Sequence, residues 1–295
     1  MFVFSYSPFE SLGKALAQAL SYRVGNFQKI HFSNQELHLT VQENVAHQSC
    51  ILIGSISPPD SNLWDILALV HTLKKESAEK ISLILPYLAY SRQEKEEPQQ
   101  SQLCALVADL LEKAGVDEIL TFDIHSPGSK ALFPMPLYSL STEALFVQKL
   151  RQLAWDDAQI LSPDQGAIER CERLSKQLNN FPIARMKKTR TSQGITQIAL
   201  EGTLKNRIVI LDDILDTGQT LVACCKTLVE KGIQEILIMV THGLFTGTTW
   251  QNLPELAVKR VYCTDTCPIK KEVLALPWID VLPTQDLLIK FLKKF

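Results

Sequence analysis

Residues 211–220 read LDDILDTGQT. Asp212 and Asp213 are adjacent, Asp216 follows three residues on, and Thr217-Gly218-Gln219-Thr220 completes the stretch. The apolar run Ile208-Val209-Ile210-Leu211 precedes it, and a helical pattern follows. A glycine-containing turn at a helix start aims backbone N–H groups at one point, and that point favours an anion, phosphate above all. Thr217 and Thr220 add hydroxyl donors. The aspartates repel a bare phosphate. They suit hydroxyl groups, which donate to carboxylates, or a Mg2+ ion between. A sugar phosphate satisfies both demands, with its phosphate in the turn and its vicinal hydroxyls on the acids. An ordinary capped helix start is the plain alternative. Three acids within five residues at a strand end argue against it.

Other segments carry chemistry more ambiguously. Asp123-Ile124-His125 ends an apolar run, and strand alternation puts Asp123 and His125 on one side. Taken alone, His125 reads as a hydrogen-bonding histidine. In Ser162-Pro163-Asp164-Gln165-Gly166 a Pro-Asp turn exposes the Asp164 carboxylate at a helix start, where a plain N-cap is the alternative. Arg92 and Gln93 lie in a charged loop; an Arg fork suits a polyphosphate, and equally suits solvent. Residues 185–190, RMKKTR, form the one dense basic cluster and sit between strand candidates, as a hairpin loop or flap would. Phe32, Asn34 and Glu36 alternate along an extended stretch, for which a core Phe and an outward acid are the plain reading.

The elements that must position these residues follow from hydrophobic patterning. Strands are expected at the start of the chain and at 50–56, 81–85, 118–122, 158–161, 207–211 and 235–241. Helices are expected at 10–21, 61–75, 100–114, 142–153, 165–178, 219–231 and 284–294. Near-continuous apolar strands between helices predict an α/β fold with mainly parallel sheets covered on both faces. LLEKAGVDEIL at 110–120 echoes LVEKGIQEIL at 228–237, which suggests a duplicated unit. The duplication would make the Arg92 loop and the Asp216–Thr220 loop topologically equivalent, each at the carboxyl end of a strand where open α/β sheets bind ligands.

Composition narrows the classes. The 295 residues, 46% hydrophobic, suit two medium domains. A net charge of −2 and a single basic loop argue against a nucleic-acid binder. No apolar run approaches the roughly 18 residues of a membrane span, and the first residues, MFVFSYSPFE, read as a strand rather than a signal peptide. Seven irregularly spaced cysteines, with Cys263 and Cys267 lacking a second ligand pair, point to reduced thiols in a cytoplasmic protein and not to zinc.

DDILDTGQT resembles the phosphoribosyl diphosphate (PRPP) motif of type I phosphoribosyltransferases and of ribose-phosphate diphosphokinases, the PRPP synthases. The wider chain resembles the latter. HFSNQE (31–36), QENV (42–45), SISPPDSNLWDILALV (55–70), PYLAYSRQEKEE (86–97), DIHSP (123–127), LSPDQGAIERCERL (161–174), KKTR (187–190) and THGLFTG (241–247) are similar to that family's motifs, in order. The KTR triplet and the PYLAY wording look most like the shorter, archaeal-type branch.

The resemblance implies two tandem phosphoribosyltransferase-type domains. Residues 1–140, joined by the C-terminal helix 284–295, would form the ATP side, and 141–283 the ribose 5-phosphate side. It implies ATP and ribose 5-phosphate as substrates, PRPP and AMP as products, and Mg2+ as cofactor. Lys188 and Arg190 map to the family's catalytic pair, within a one-residue register that leaves Lys187 open. Arg92 and Gln93 would contact ATP. Phe32, Asn34 and Glu36 would hold adenine, reaching a neighbouring subunit's ATP in a homo-oligomer. Asp212, Asp213, Asp216, Thr217, Gly218, Gln219 and Thr220 would bind ribose 5-phosphate, and His125 with Asp164 would ligate the metal.

The chain also departs from the pattern. The usual F-S-D-G-E is Phe32-Ser33-Asn34-Gln35-Glu36, and the R-G after E-N-V is Ala46-His47. R-Q-D-R is Arg92-Gln93-Glu94-Lys95, and Q-I-Q-G-F-F after DIHSP begins Gly128-Ser129. Gln219 stands where Gly is commonest. Losing Gly at 35 opposes a left-handed turn there. These departures favour an alternative, a non-catalytic or regulatory paralogue; the intact basic cluster opposes it. A transferase that consumes PRPP would explain DTGQT but not Arg92-Gln93 or DIHSP.

Overall fold

A computed structural model describes residues 1–190, 196–201 and 203–294. Contacts divide the chain into two compact units, Met1–Leu140 with Gln285–Phe295, and Ser141–Thr284.

Unit 1 contains strands β1 (Phe2–Ser5), β2 (Arg23–Val24), β3 (Phe27–His31), β4 (Leu37–Val41), β5 (Ser49–Ile53), β6 (Lys80–Ile84), β7 (Glu118–Phe122) and β8 (Leu137–Leu140). Its helices are α1 (Glu10–Leu20), α2 (Ser61–Lys75), α3 (Leu103–Ala114), the short α4 (Pro127–Ala131) and the terminal helix Gln285–Leu292. Six strands pair in the order β2-β1-β5-β6-β7-β8, all parallel, and β3-β4 form a separate antiparallel hairpin. The terminal helix belongs here because its Leu288 is fully buried in a cluster with Leu16, Ile51, Ile84 and Phe122.

Unit 2 contains β9 (Gln159–Ser162), β10 (Ile183–Arg190), β11 (Thr196–Glu201), β12 (Arg207–Leu215), β13 (Glu235–Gly243), β14 (Val258–Thr264) and β15 (Ile279–Leu282). Helices α5 (Glu143–Gln152), α6 (Ile168–Gln177), α7 (Gln219–Glu230) and α8 (Lys271–Leu274) accompany them. The sheet order is β11-β10-β9-β12-β13-β14-β15, parallel except for the β10-β11 hairpin. Strand alternation explains the unbroken apolar runs. Ile208 and Ile210 of β12, with Ile236 and Ile238 of β13, enter one core, while Val209, Leu211, Leu237 and Met239 enter another on the opposite face.

The two units share a strand order, which supports duplication, but the echo at 110–120 and 228–237 is out of register. Counted along the sheets, β5-α2-β6 stands where β12-α7-β13 stands, so the loop equivalent to Asp216–Thr220 is 54–60 after β5, not the Arg92 loop after β6. The echo reflects only how a helix stops before a strand: Gly115 and Gly232 both have φ above +80°.

Candidate functional site

In unit 2 the acids lie nearer the strand than expected. β12 runs to Leu215, beyond the partner positions on β9, which end at Leu161, so Asp212 and Asp213 are strand residues projecting past a shorter neighbour. Asp213 is only 7% exposed and Arg170 of α6 only 8%, and the guanidinium lies 3.8 Å from the Asp213 carboxylate. The Arg170 Nε is buried without a hydrogen-bond partner. Burial, then the charges of Asp213 and Asp164, push the Asp212 carboxyl well above the usual range; Arg170 works in the opposite direction. Asp212 also accepts the Asp213 N–H at 2.9 Å. Asp212 and Asp213 therefore share one strand end within electrostatic reach of Asp164, with the buried Arg170 beside Asp213.

Asp164 is half-buried, and its Oδ1 accepts the Ala167 N–H at 3.1 Å, so it does cap the turn before α6. The other carboxylate oxygen takes no part in that bond. At the phosphate turn, Gly218 has φ +80° and is the N-cap of α7. A Cβ there would lie 2.7 Å from the Trp250 Cβ, so glycine is demanded both by conformation and by the Trp250 backbone crossing over it. Gln219 opens α7, where no glycine is needed, and its N–H lies 3.5 Å from the Thr217 hydroxyl. The Asp216 carboxylate accepts the Thr246 hydroxyl, and its carbonyl accepts the Thr246 N–H at 3.1 Å, which clasps the turn to the loop after β13. Thr217 is exposed and Thr220 half-buried. Gly218→Ala is expected to lower stability by about 2 kcal/mol, read from urea unfolding, because it adds a left-handed penalty to a clash.

The basic cluster is placed differently from expectation. Residues 185–190 lie within β10, paired with β11 in the register Lys188↔Ile198 and Arg190↔Thr196, rather than in the hairpin's loop. The side chains of Lys187, Lys188 and Arg190 lie outside the described ones.

In unit 1, β7 ends at Phe122 and Asp123 turns to φ +30°, so strand alternation does not carry through to His125. Asp123 is buried and His125 exposed. Ser126 then caps α4, accepting the Gly128 N–H at 3.1 Å ahead of Pro127. Arg92 and Gln93 are exposed and line a 390 Å³ cavity with Lys95, Glu97, Gln100 and Ser101.

Phe32, Asn34 and Glu36 are not extended: they form the turn between β3 and β4, with Phe32 N–H donating to the Glu36 carbonyl at 2.9 Å and the Glu36 N–H to Asn34 Oδ1 at 3.1 Å. Phe32 is 48% exposed, its ring 5.2 Å from His38, so it is not a core residue.

Residues 1–115 match the family described as the N-terminal domain of ribose phosphate pyrophosphokinase, and residues 128–262 match the phosphoribosyl transferase domain. "Ribose-phosphate pyrophosphokinase 4" of Saccharomyces cerevisiae is 32% identical over 93% of this chain and 85% of its own length. The ribose-phosphate pyrophosphokinase of Buchnera aphidicola is 28% identical over 100% of this chain and 95% of its own. The crystal structure of phosphoribosylpyrophosphate synthetase from Mycobacterium smegmatis superposes with a TM-score of 0.90 at 28% identity, covering 99% of this chain and 97% of that one. The chain belongs to the ribose-phosphate pyrophosphokinase family.

Membership in the pyrophosphokinase family makes the departures informative. Two of the positions where the resemblance expects a glycine, Gln35 and His47, adopt left-handed φ, +69° and +57°. The turn geometry is thus kept against side-chain preference. Gln35→Gly and His47→Gly are each expected to raise the unfolding free energy by about 1 kcal/mol, checked by chemical denaturation. Arg170 is the buried partner of the β12 acids that sequence reasoning missed. The signal was within the LSPDQGAIERCERL segment, but an Arg in a charged amphipathic helix looks like surface until burial is known. All seven cysteines are free and buried. No helix among the described residues is long and apolar enough to cross a membrane.

Proposed function

We propose that this chain transfers the diphosphoryl group of ATP to O1 of ribose 5-phosphate, giving PRPP and AMP. The observation that carries this reading is the β12–α7 turn, where acids suited to ribose hydroxyls adjoin a glycine-gated helix start suited to the 5-phosphate. The Thr217 and Thr220 hydroxyls and the Gly218 and Gln219 N–H groups take the 5-phosphate, and Asp212, Asp213 and Asp216 order the ribose. Arg92 and Gln93 take the ATP polyphosphate, and the β3–β4 turn with Phe32, Asn34 and Glu36 takes adenine, in a homo-oligomer the adenine of a neighbouring subunit.

The ribose O1 attacks the β-phosphorus, the bond to the α-phosphate oxygen breaks, and AMP departs with that oxygen; the O1 proton passes to solvent. Alignment and charge neutralisation dominate such transfers. Lys188 and Arg190 neutralise charge on the migrating group.

The donor set fits Mg2+. Asp164 and Asp212 are oxygen donors, with burial, Asp213 and then the Asp164 charge raising the Asp212 carboxyl, and Mg2+ favours one or two carboxylates completed by substrate phosphates. Among the described residues, no three His, Cys, Asp or Glu side chains converge as a ready-made cage. In our reading Asp164 would hold the ion, which when bound screens the polyphosphate charge. We also place the chain in the cytoplasm, and near the shorter archaeal-type branch on the wording of 86–90 and 188–190.

Phosphorus NMR of the protein with ATP, ribose 5-phosphate and Mg2+ tests the proposal. Equal PRPP and AMP are expected. No PRPP, with both ligands shown to bind, would replace it with the regulatory paralogue.

A further inference from the structure

Two of the places where this chain departs from its family's pattern meet in unit 1. Glu94, one carbon longer than the usual Asp, accepts the Ser126 hydroxyl and, at 2.7 Å on the same Oε2, the Ser129 hydroxyl. Ser129 is 0% exposed and also lies 2.8 Å from the Ser91 carbonyl. A hydroxyl carries one proton, so Ser129 shares it between the two ends of the loop that contains Arg92 and Gln93. The same loop is tied behind by the Gln102 amide, which donates to the Glu94 carbonyl at 2.6 Å, and by the Cys104 N–H, which donates to the Gln93 carbonyl at 3.3 Å. Ser126 is the residue after His125 and caps α4. Gly128 completes the arrangement, since a Cβ there would sit 3.0 Å from Glu94 Oε2 and press the longer carboxylate away from Ser129.

We propose that Glu94 and Ser129 are positioning residues that bind the Arg92-Gln93 loop to the His125 turn as one unit, the longer acid being accommodated by Gly128 and completed by Ser129. An Asp at 94 falls short by about one carbon–carbon bond, roughly 1.5 Å, and Ser129, buried and bonded to the Ser91 carbonyl, would have to give up that bond to follow it. The loop's two exposed nucleotide-side residues lie in no strand or helix, and this strap fixes the backbone that carries them. The inference rests on the reading above that Arg92 and Gln93 contact ATP.

The test compares the full chain with Ser129→Ala, Glu94→Asp, Glu94→Gln and the Ser129→Ala/Glu94→Asp double variant. Rates are measured with ATP and ribose 5-phosphate varied in turn, alongside ligand-free melting midpoints. Each of Ser129→Ala and Glu94→Asp is expected to raise the ATP KM about tenfold while the ribose 5-phosphate KM stays within about twofold, and the double variant is expected to be no worse than the worse single, because both break one link. Glu94→Gln keeps the reach and an acceptor oxygen, and is expected to stay within about threefold of wild type. Unchanged ATP KM in the single variants, multiplying effects in the double, or both KM values rising with a lowered midpoint would overturn the proposal. Wild type without turnover would sink the assigned reaction alone; ATP affinity by calorimetry then replaces KM, with the same tenfold weakening expected. Wild type that binds no ATP would overturn both.

Discussion

Alanine at both Lys188 and Arg190 is expected to lower turnover by about 10³–10⁵, the range that a charge-neutralising arginine supplies in other phosphoryl transfers, with either KM changed by less than about threefold. The argument is electrostatic. Charge spreads over the migrating diphosphoryl group as the bond to AMP loosens, and preorganised cations stabilise that state more than bound ATP. Backbone pairing bears on the register. Positions 188 and 190 lie two apart in β10, opposite Ile198 and Thr196 of β11, the spacing expected of a pair that acts together. Lys187→Ala is therefore expected to stay within about fivefold of wild type. Single-turnover formation of AMP measures these steps. A loss below tenfold in the double variant, or an equal loss in Lys187→Ala, would remove the pair from the mechanism.

Arg170→Met is expected to lower the unfolding free energy by about 3 kcal/mol at neutral pH, the magnitude typical of leaving a buried charge uncompensated. Met keeps the volume but removes the cation beside Asp213 and Asp212, both of which already face each other and Asp164. Asp212→Asn is expected to act in the opposite direction, raising stability by about 1–2 kcal/mol in ligand-free protein, because it removes a member of the repelling set. It is also expected to cut turnover by at least about a hundredfold, since an amide is a poorer acceptor for ribose hydroxyls.

Linkage fixes the pH dependence. The folded Asp212 carboxyl holds its proton above its ordinary value of 3.8, so an unfolded chain releases that proton first. Between those two values the folded state binds more protons, and this group's contribution to stability declines as pH rises through the window. The stability gain of Asp212→Asn should accordingly shrink on acidification, as should the Arg170→Met deficit. Urea unfolding across a pH series checks both; a gain for Asp212→Asn that grew in acid would contradict an origin in burial and carboxylate repulsion.

The expectation that Asp123 and His125 share a strand face failed for a local reason. β7 stops at Phe122, and a residue at φ +30° resets the direction of everything after it. Phe32, Asn34 and Glu36 failed similarly, since a five-residue turn mimics the alternation of a strand while its hydrogen bonds close a loop. Periodicity over so few residues does not separate the two.

What the sequence by itself determined is what short-range physics controls. Apolar runs of β-branched residues determined the central strands, and amphipathic spacing determined the helices within a few residues. The contiguous LDDILDTGQT stretch determined the turn that carries the proposed sugar-phosphate reading, because its N–H groups, its glycine and its neighbouring acids all lie along one piece of chain. The tertiary structure decided the pairings that have no period. Arg170 looked like one charge among several on α6, and only the packing of α6 against β12 puts it beneath Asp213. Glu94 and Ser129 looked like unrelated departures until the loop after β6 and the turn after β7 met. The echoed segments looked equivalent until sheet order set them one unit apart. Burial and long-range hydrogen bonding decide such matters, and neither is encoded within a window of a few residues.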